Sequence, residues 1–289
     1  MEKYVSVIGG SHVTVSGMSF LRQSENENPG VVALKLDGEA RNLSEKLALS
    51  GVNVKLITAL GRDVFAEGLK ADFDRLGIDY SNSLTLDAPT SAVIELSDDI
   101  GELKKEICDY RILRNMDMEF FSSRLDVLNN SQACYVDAKY DFEKLEFLCH
   151  NVTCPIFADT VSVKSSLKLK SLLKYVYTLK SNKAELEHLI GYSLVDENNF
   201  RAATERLLNA GVKNVFVTCG KDGVWYNNGK EFGHVDADSA IVVNRSGVGS
   251  VFNAMLIKGY LEGLSIREIA QMGVKATAEF ISKENVTYL

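Results

Sequence analysis

The sequence predicts an α/β protein with a central, mainly parallel sheet, helices on both of its faces, and a small β lid. Three observations carry that expectation. From Ala133 onward, strand-like apolar runs (Ala133–Val136, Ile156–Ala158, Tyr175–Leu179, Val215–Val217) alternate with helix-like stretches (Phe142–Cys149, Ser165–Leu173, Lys183–Leu189, Phe200–Asn209). That is the rhythm of parallel strands joined through helices. The chain opens on a short apolar strand, Tyr4–Ile8, ended by Gly9-Gly10. Between these regions Thr90–Leu96 alternates apolar and polar residues in part, and Ile107–Leu113 is its expected partner across the Asp98-Asp99-Ile100-Gly101 turn.

Composition bounds the function. A chain of 289 residues with 46% hydrophobic content can bury a sizeable core. A net charge of −7 without a long basic run argues against non-specific nucleic-acid binding. The five cysteines (108, 134, 149, 154, 219) show no metal-type spacing and suit reduced thiols. Met1-Glu2-Lys3 leads straight into a strand, with no signal peptide and no apolar run of membrane-spanning length, so a cytoplasmic location is expected.

Taken in order, Gly9-Gly10-Ser11-His12-Val13 lacks the third glycine of a dinucleotide fingerprint. His12 reads as a lid or surface residue rather than a catalyst. Ser24–Gly30 is polar and contains Pro29, which marks a loop. Ala40, Leu43, Leu47 and Ala48 share one helical face that Gly51 stops, and Val52–Leu60 follows as a strand closed by Gly61. In the parallel half, Asp137, Asp159, Asn182 and Thr218 stand at strand C-termini. Ligands of such sheets bind outside the carboxyl ends of the strands, although helix capping is an alternative duty for these residues. Ser265 and Glu268 make a capping box for a final helix bearing Ile266, Ile269, Ala270, Val274 and Ala278.

The stretch Asn244-Arg245-Ser246-Gly247-Val248-Gly249-Ser250-Val251-Phe252 is the centre of the functional reading. A strand-like run, Ala240–Val243, leads in, and a helix-like run, Val251–Leu261, leads out. Bare N–H groups at a helix start form an anion site, and Gly247 and Gly249 let a phosphate approach. A tight turn is the other reading of the same glycines.

The stretch resembles the second signature of the ribokinase-like PfkB carbohydrate kinases, Asp-Thr-Thr-Gly-Ala-Gly-Asp-x-Phe, in Gly247, Gly249 and Phe252. Gly38, Asn42, Ser44, Gly51 and Gly61 fall in register with the first signature, with Asp37 where its first glycine is usual. Gly61-Arg62-Asp63 with Gly68, Asp159-Thr160-Val161-Ser162-Val163-Lys164, Lys180-Ser181-Asn182-Lys183-Ala184-Glu185 and Thr218-Cys219-Gly220-Lys221-Asp222-Gly223 add supporting motifs. Their pattern is closest to the pseudouridine-kinase-like branch.

The resemblance implies a three-layer α/β/α ribokinase-like domain over 1–289, with lid segments near 13–31 and 91–113. It implies ATP and Mg2+, with a sugar or nucleoside as acceptor, and it allows a homodimer through the lid; the charge balance and the lack of a long apolar run argue against nucleic acid and membrane as partners. The anion hole falls on Gly247, Val248 and Gly249, and the catalytic-base position on Ser250. Substrate-binding positions are Thr14, Gly38 and Asn42. Nucleotide-side positions are Asn182, Glu185, Thr218, Gly220 and Gly223, with Glu185 acting on metal-bound water.

Three positions depart from the family by losing a carboxylate: Thr14, Asn244 and Ser250. A serine hydroxyl stays protonated near neutral pH, and general-base assistance is worth roughly 10²–10⁴-fold. Two readings follow: a slow or impaired kinase of a sugar or nucleoside hydroxymethyl group, or a non-catalytic descendant that senses a nucleotide or nucleoside. A dinucleotide-dependent dehydrogenase is a distant third.

Overall fold

A computed structural model describes residues 3–20, 27–160, 167–240 and 247–282. The chain begins with β1 (Val5–Ile8), then β2 (His12–Ser19) and β3 (Gly30–Asp37), α1 (Glu39–Leu49), β4 (Val54–Ile57), β5 (Ala59–Leu60) and α2 (Val64–Leu76). It continues through β6 (Leu84–Thr85), β7 (Ala92–Ser97), β8 (Leu103–Asp109), α3 (Met118–Ser122), α4 (Leu125–Asn129), β9 (Ala133–Asp137), α5 (Phe142–Asn151), β10 (Ile156–Asp159) and β11 (Val176–Asn182). The last described part holds α6 (Lys183–Ile190), α7 (Glu197–Asn209), β12 (Asn214–Thr218), β13 (Val224–Asn227), β14 (Phe232–Val235), α8 (Val248–Leu261) and α9 (Ile266–Ile281).

The main sheet runs β14-β13-β12-β11-β10-β9-β1-β4. Every pair from β4 to β12 is parallel, and β13 and β14 add an antiparallel edge. Alternate residues of each strand feed different cores, as the period of two requires. Val5, Val7, Ala133 and Tyr135 pack with residues of α1, α2, α8 and α9. Ile8, Cys134 and Val136 pack with residues of α3–α5, and Leu179, Val215 and Val217 with residues of α6 and α7. This is the expected three-layer arrangement, with helices on both faces of the sheet.

Local chemistry explains the helix ends. The Asp63 side chain accepts from the Ala66 N–H at 2.9 Å to open α2, and Gly77 closes it in the left-handed region. Asn182 with Glu185, and Ser265 with Glu268, form reciprocal capping boxes on α6 and α9.

A second sheet, β3-β2-β7-β8, is the small β lid. Its first segment runs on to Asp37 and its second stops at Asp109. Arg111–Asn115 is a 3-10 turn, so the strand expected to reach Leu113 ends early. Asp109 accepts from the Arg111 N–H at 3.1 Å and Tyr110 C=O from the Leu113 N–H, which curls the backbone out of the ladder. The strand expected over Val52–Leu60 is likewise two short strands. The Thr58 N–H donates to Ser83 Oγ at 3.1 Å, and β5 then pairs with β6 in a sheet of its own. The helix expected over Ser165–Leu173 is helical at 167–169 among its described residues, and Leu173–Tyr175 is a 3-10 turn.

Candidate active site

The site begins where the lid meets the body. Between β3 and α1, Gly38 has φ of 116°, and a Cβ there would stand 2.4 Å from the Gly10 carbonyl oxygen. Only glycine allows this contact. The turn places Asp37 and Glu39 on either side of Gly38, and all three line one cavity. Asp37 Oδ1 accepts from the Gly38 N–H at 2.8 Å and from Asn42 Nδ2, while Lys35 Nζ lies 3.3 Å from Oδ2. Burial opposes the Asp37 charge, but Lys35, the Gly38 N–H and Asn42 outweigh it and hold the carboxyl below its ordinary range.

His12 opens the lid strand β2, where it is buried and packs edge-on against Tyr110 with ring centroids 5.5 Å apart. Burial drives its pKa down to about 4 against the pull of Asp37, so the ring is neutral near pH 7.

The opposite wall is the start of α8. Gly247 adopts φ of 81° as N-cap, no side chain caps the helix, and its first turn holds no acidic residue. The helix start therefore presents uncapped N–H groups and the positive end of its dipole. A Cβ on Gly249 would lie 3.3 Å from Lys180 Nζ, which brings a buried ammonium against the loop. Lys180 pairs with Asp159 Oδ2 at 2.7 Å, and Asn253 Nδ2 donates to the same oxygen at 2.9 Å. Burial disfavours the Lys180 charge, but Asp159, Glu39 and Glu185 overcome it and raise its pKa above the ordinary lysine value.

These walls enclose a cleft of about 260 Å³. Thr14, Gly38, Asn42, Gly247, Gly249 and Ser250 all line it, so residues from three distant stretches of sequence meet in one place. An adjoining lobe of about 180 Å³ shares His12, Gly38, Glu39, Tyr110 and Lys139 and adds Leu113 and Tyr140. Ser250 is buried, and its Oγ donates to Glu39 Oε1 at 3.2 Å; Tyr135 Oη donates to that oxygen at 3.5 Å. Burial, then Asp159 and Asp137, push the Glu39 carboxyl up to about 7, against the opposing pull of Lys180 and Lys139.

Val248 is the first residue of α8 and stands between two lining residues without lining the cleft itself. Asn182, Glu185, Thr218, Gly220 and Gly223 do not line it either. Asn182 and Thr218 end β11 and β12, Glu185 lies in the first turn of α6, and Gly220 and Gly223 belong to the turn between β12 and β13. Glu185 is buried and bonded to Thr160 Oγ1 and the Asn182 N–H, so capping α6 is its visible duty. Gly223 meets a structural need as well, since a Cβ there would stand 2.0 Å from the Val235 carbonyl oxygen. Asn244, the Ala240–Val243 run beyond Ala240, and Val161–Lys164 lie outside the described residues. Glu39, Lys180, Lys139 and Tyr110 are site residues that the sequence reading did not single out. The one signal for Glu39 was its place beside Gly38.

The chain matches the family model described as pfkB family carbohydrate kinase over residues 3–289 and belongs to that family. It is 27% identical over 282 residues to the uncharacterized sugar kinase YeiI of Escherichia coli K12, covering 96% of this chain and 78% of that one. It is 26% identical over 289 residues to the pseudouridine kinase of the same organism, covering 98% and 92%. The fold matches a Thermotoga maritima ribokinase with a TM-score of 0.84 at 19% identity, covering 99% of this chain and 95% of that one. An Arabidopsis thaliana ribokinase complexed with ribose and ATP matches with a TM-score of 0.85 at 17% identity, covering 99% and 95%.

Family membership implies ATP use with a divalent metal, and the residues fit such a ligand. The Gly249 position leaves room that a Cβ would fill, with a buried ammonium beside it. Among the described residues no group of three or more His, Cys, Asp or Glu could hold a metal. Magnesium in phosphoryl-transfer sites is usually held by phosphates, waters and one or two carboxylates, so a dedicated protein cage is not required. No helix among the described residues is long and apolar enough to cross a membrane.

Proposed function

We propose that the protein transfers the γ-phosphoryl group of ATP to a hydroxymethyl group of a nucleoside or sugar. The observation that carries this reading is the single cleft in which Gly38 and Asn42 face Gly247, Gly249 and Ser250 beneath the lid. The start of α8 with Lys180 would receive the transferring phosphate, where fixed donors and charge are worth most. Asp37, held by Asn42, would accept from an acceptor hydroxyl, a carboxylate duty that Thr14 cannot perform. The nucleotide would extend over Asn182, Thr218, Gly220 and Gly223, with Glu185 directed at metal-bound water. The adjoining lobe, with Tyr110, Leu113 and Tyr140, offers aromatic and aliphatic surface for a flat base. A nucleoside is therefore the favoured acceptor, in line with relatives named pseudouridine kinase and guanosine-inosine kinase.

The lid's outer face exposes Val32, Ile94, Leu96 and Ile107, which supports a homodimer through the lid. The reading is tested by following ATP consumption and phosphorylated product with pseudouridine, inosine, guanosine, ribose and fructose as acceptors. A second reading, a non-catalytic binder of nucleotide or nucleoside, is favoured by Ser250 at the base position. Saturable binding without turnover would select it.

A further inference from the structure

Ser250 leaves a proton without a destination at the position where the family has its base, yet a carboxylate stands one hydrogen bond away. Glu39 is the first residue of α1, and its Oε1 accepts from Ser250 Oγ at 3.2 Å. Glu39 lines both the phosphate-side cleft and the adjoining lobe, with Gly247 and Gly249 on the wall of the former. An aspartate at position 250 would extend toward the space that the Glu39 carboxylate occupies. The two positions are thus complementary, with a hydroxyl on α8 meeting a carboxylate on α1.

We propose that Glu39 is the catalytic base of this protein, with Ser250 as the positioning residue that orients its carboxylate. The proposal rests on the kinase reading above. As the acceptor hydroxyl oxygen forms its bond to the γ-phosphorus, Glu39 takes the hydroxyl proton. The bond from that phosphorus to the β–γ bridging oxygen breaks, and ADP leaves with the electron pair. Glu39 then releases the proton to solvent. Two neighbouring carboxylates are held by other partners. Asp159 is paired with Lys180 and Asn253, and Asp137 accepts from the Lys139 N–H at 2.9 Å.

The groups facing Glu39 are Tyr135 and Asp137 from β9, Asp159 from β10, Lys180 from β11, and Lys139 beyond β9. Together with burial they set its titration near neutrality, where a general base is most effective.

The test compares wild type, Glu39→Gln, and the exchange variant Glu39→Gln/Ser250→Asp, with an active acceptor and MgATP. Each is also titrated with ATP by calorimetry. Expected are a fall in kcat of roughly 10²–10⁴-fold in Glu39→Gln with ATP affinity within a few-fold of wild type, and partial recovery of kcat in the exchange variant. The wild-type acidic limb in kcat/KM, near pH 7, should move to lower pH in the exchange variant, a shift that a merely structural glutamate would not produce. Wild-type turnover that survives in Glu39→Gln would overturn the assignment and leave the kinase reading standing. A wild type that binds ATP and acceptor but transfers nothing would overturn both. In the ligand-free protein, a carboxyl band titrating near pH 7 that disappears in Glu39→Gln supports the assignment. Persistence of that band would contradict it.

Discussion

Ser250 Oγ donates to Glu39 Oε1 at 3.2 Å, across a separation of 211 residues. From sequence alone, Ser250→Asp would be expected to restore a missing base. The contact reverses that expectation. An aspartate there would set a second carboxylate against Glu39, and like charges at contact distance resist joint ionisation. Ser250→Asp alone should therefore leave kcat unchanged or lower it, with a basic shift of the acidic limb. A rate gain of tenfold or more from this single change, measured at pH 7, would show that Glu39 does not occupy the space.

The same carboxylate makes a stability prediction. Its folded pKa, about 7, lies above the ordinary glutamate value of 4.5. Between those values the folded state holds a proton that the unfolded chain has released, so stability falls as pH rises through that window. Below about pH 4.5 both states are protonated and the cost vanishes. Glu39→Gln should stabilise the protein at pH 8 by on the order of 1–2 kcal/mol after allowance for cleft solvent, and by much less at pH 4.5. Denaturant midpoints at the two pH values check this, and an equal shift at both would contradict it.

Gly249→Val would drive a branched side chain against Lys180 and into the phosphate approach, since even a Cβ stands 3.3 Å from that ammonium. ATP affinity should fall at least about tenfold, the loss of one good charge-assisted contact, with far-ultraviolet circular dichroism unchanged. Equal calorimetric affinity would remove the phosphate role from this loop.

Asn42→Ala would free Asp37 from one of its holders. KM for the acceptor should rise about tenfold while ATP affinity holds, a loss in line with a hydrogen bond to a charged group. If the KM for the acceptor is untouched, Asp37 and Asn42 are serving the lid turn alone.

The lid face predicts a concentration-dependent dimer. Val32 and Ile107 are 74% and 62% exposed, so Val32→Glu with Ile107→Lys should shift the protein to monomer in sedimentation experiments. An unchanged sedimentation coefficient would place any dimer interface elsewhere.

The fold was largely readable because its signals are local. Strands of four to seven residues that carry apolar runs and end at Asp137, Asp159, Asn182 and Thr218 lie parallel in the sheet and form its carboxyl edge. The capping pairs Asn182–Glu185 and Ser265–Glu268 are likewise spaced by the geometry of a single helical turn. Errors arose where hydrogen bonds from elsewhere intervened, as Ser83 does at Thr58.

The cleft was half readable. Gly38, Asn42, Gly247 and Gly249 carry motif spacing, but Glu39 looked like an ordinary acidic residue in the first turn of a helix. Its meaning comes from α1 packing against α8, which no local pattern encodes. Lys180 is similar. Its place beside Gly249 follows from β11 ending under the start of α8, and only tertiary structure shows that.

The most direct test of the central claim is wild-type turnover with MgATP and a nucleoside acceptor near pH 7.5, read by phosphorus NMR as new phosphomonoester and ADP in equal amounts. Stoichiometric formation of both is expected. Tight binding of ATP and nucleoside with no phosphomonoester after prolonged incubation would contradict it.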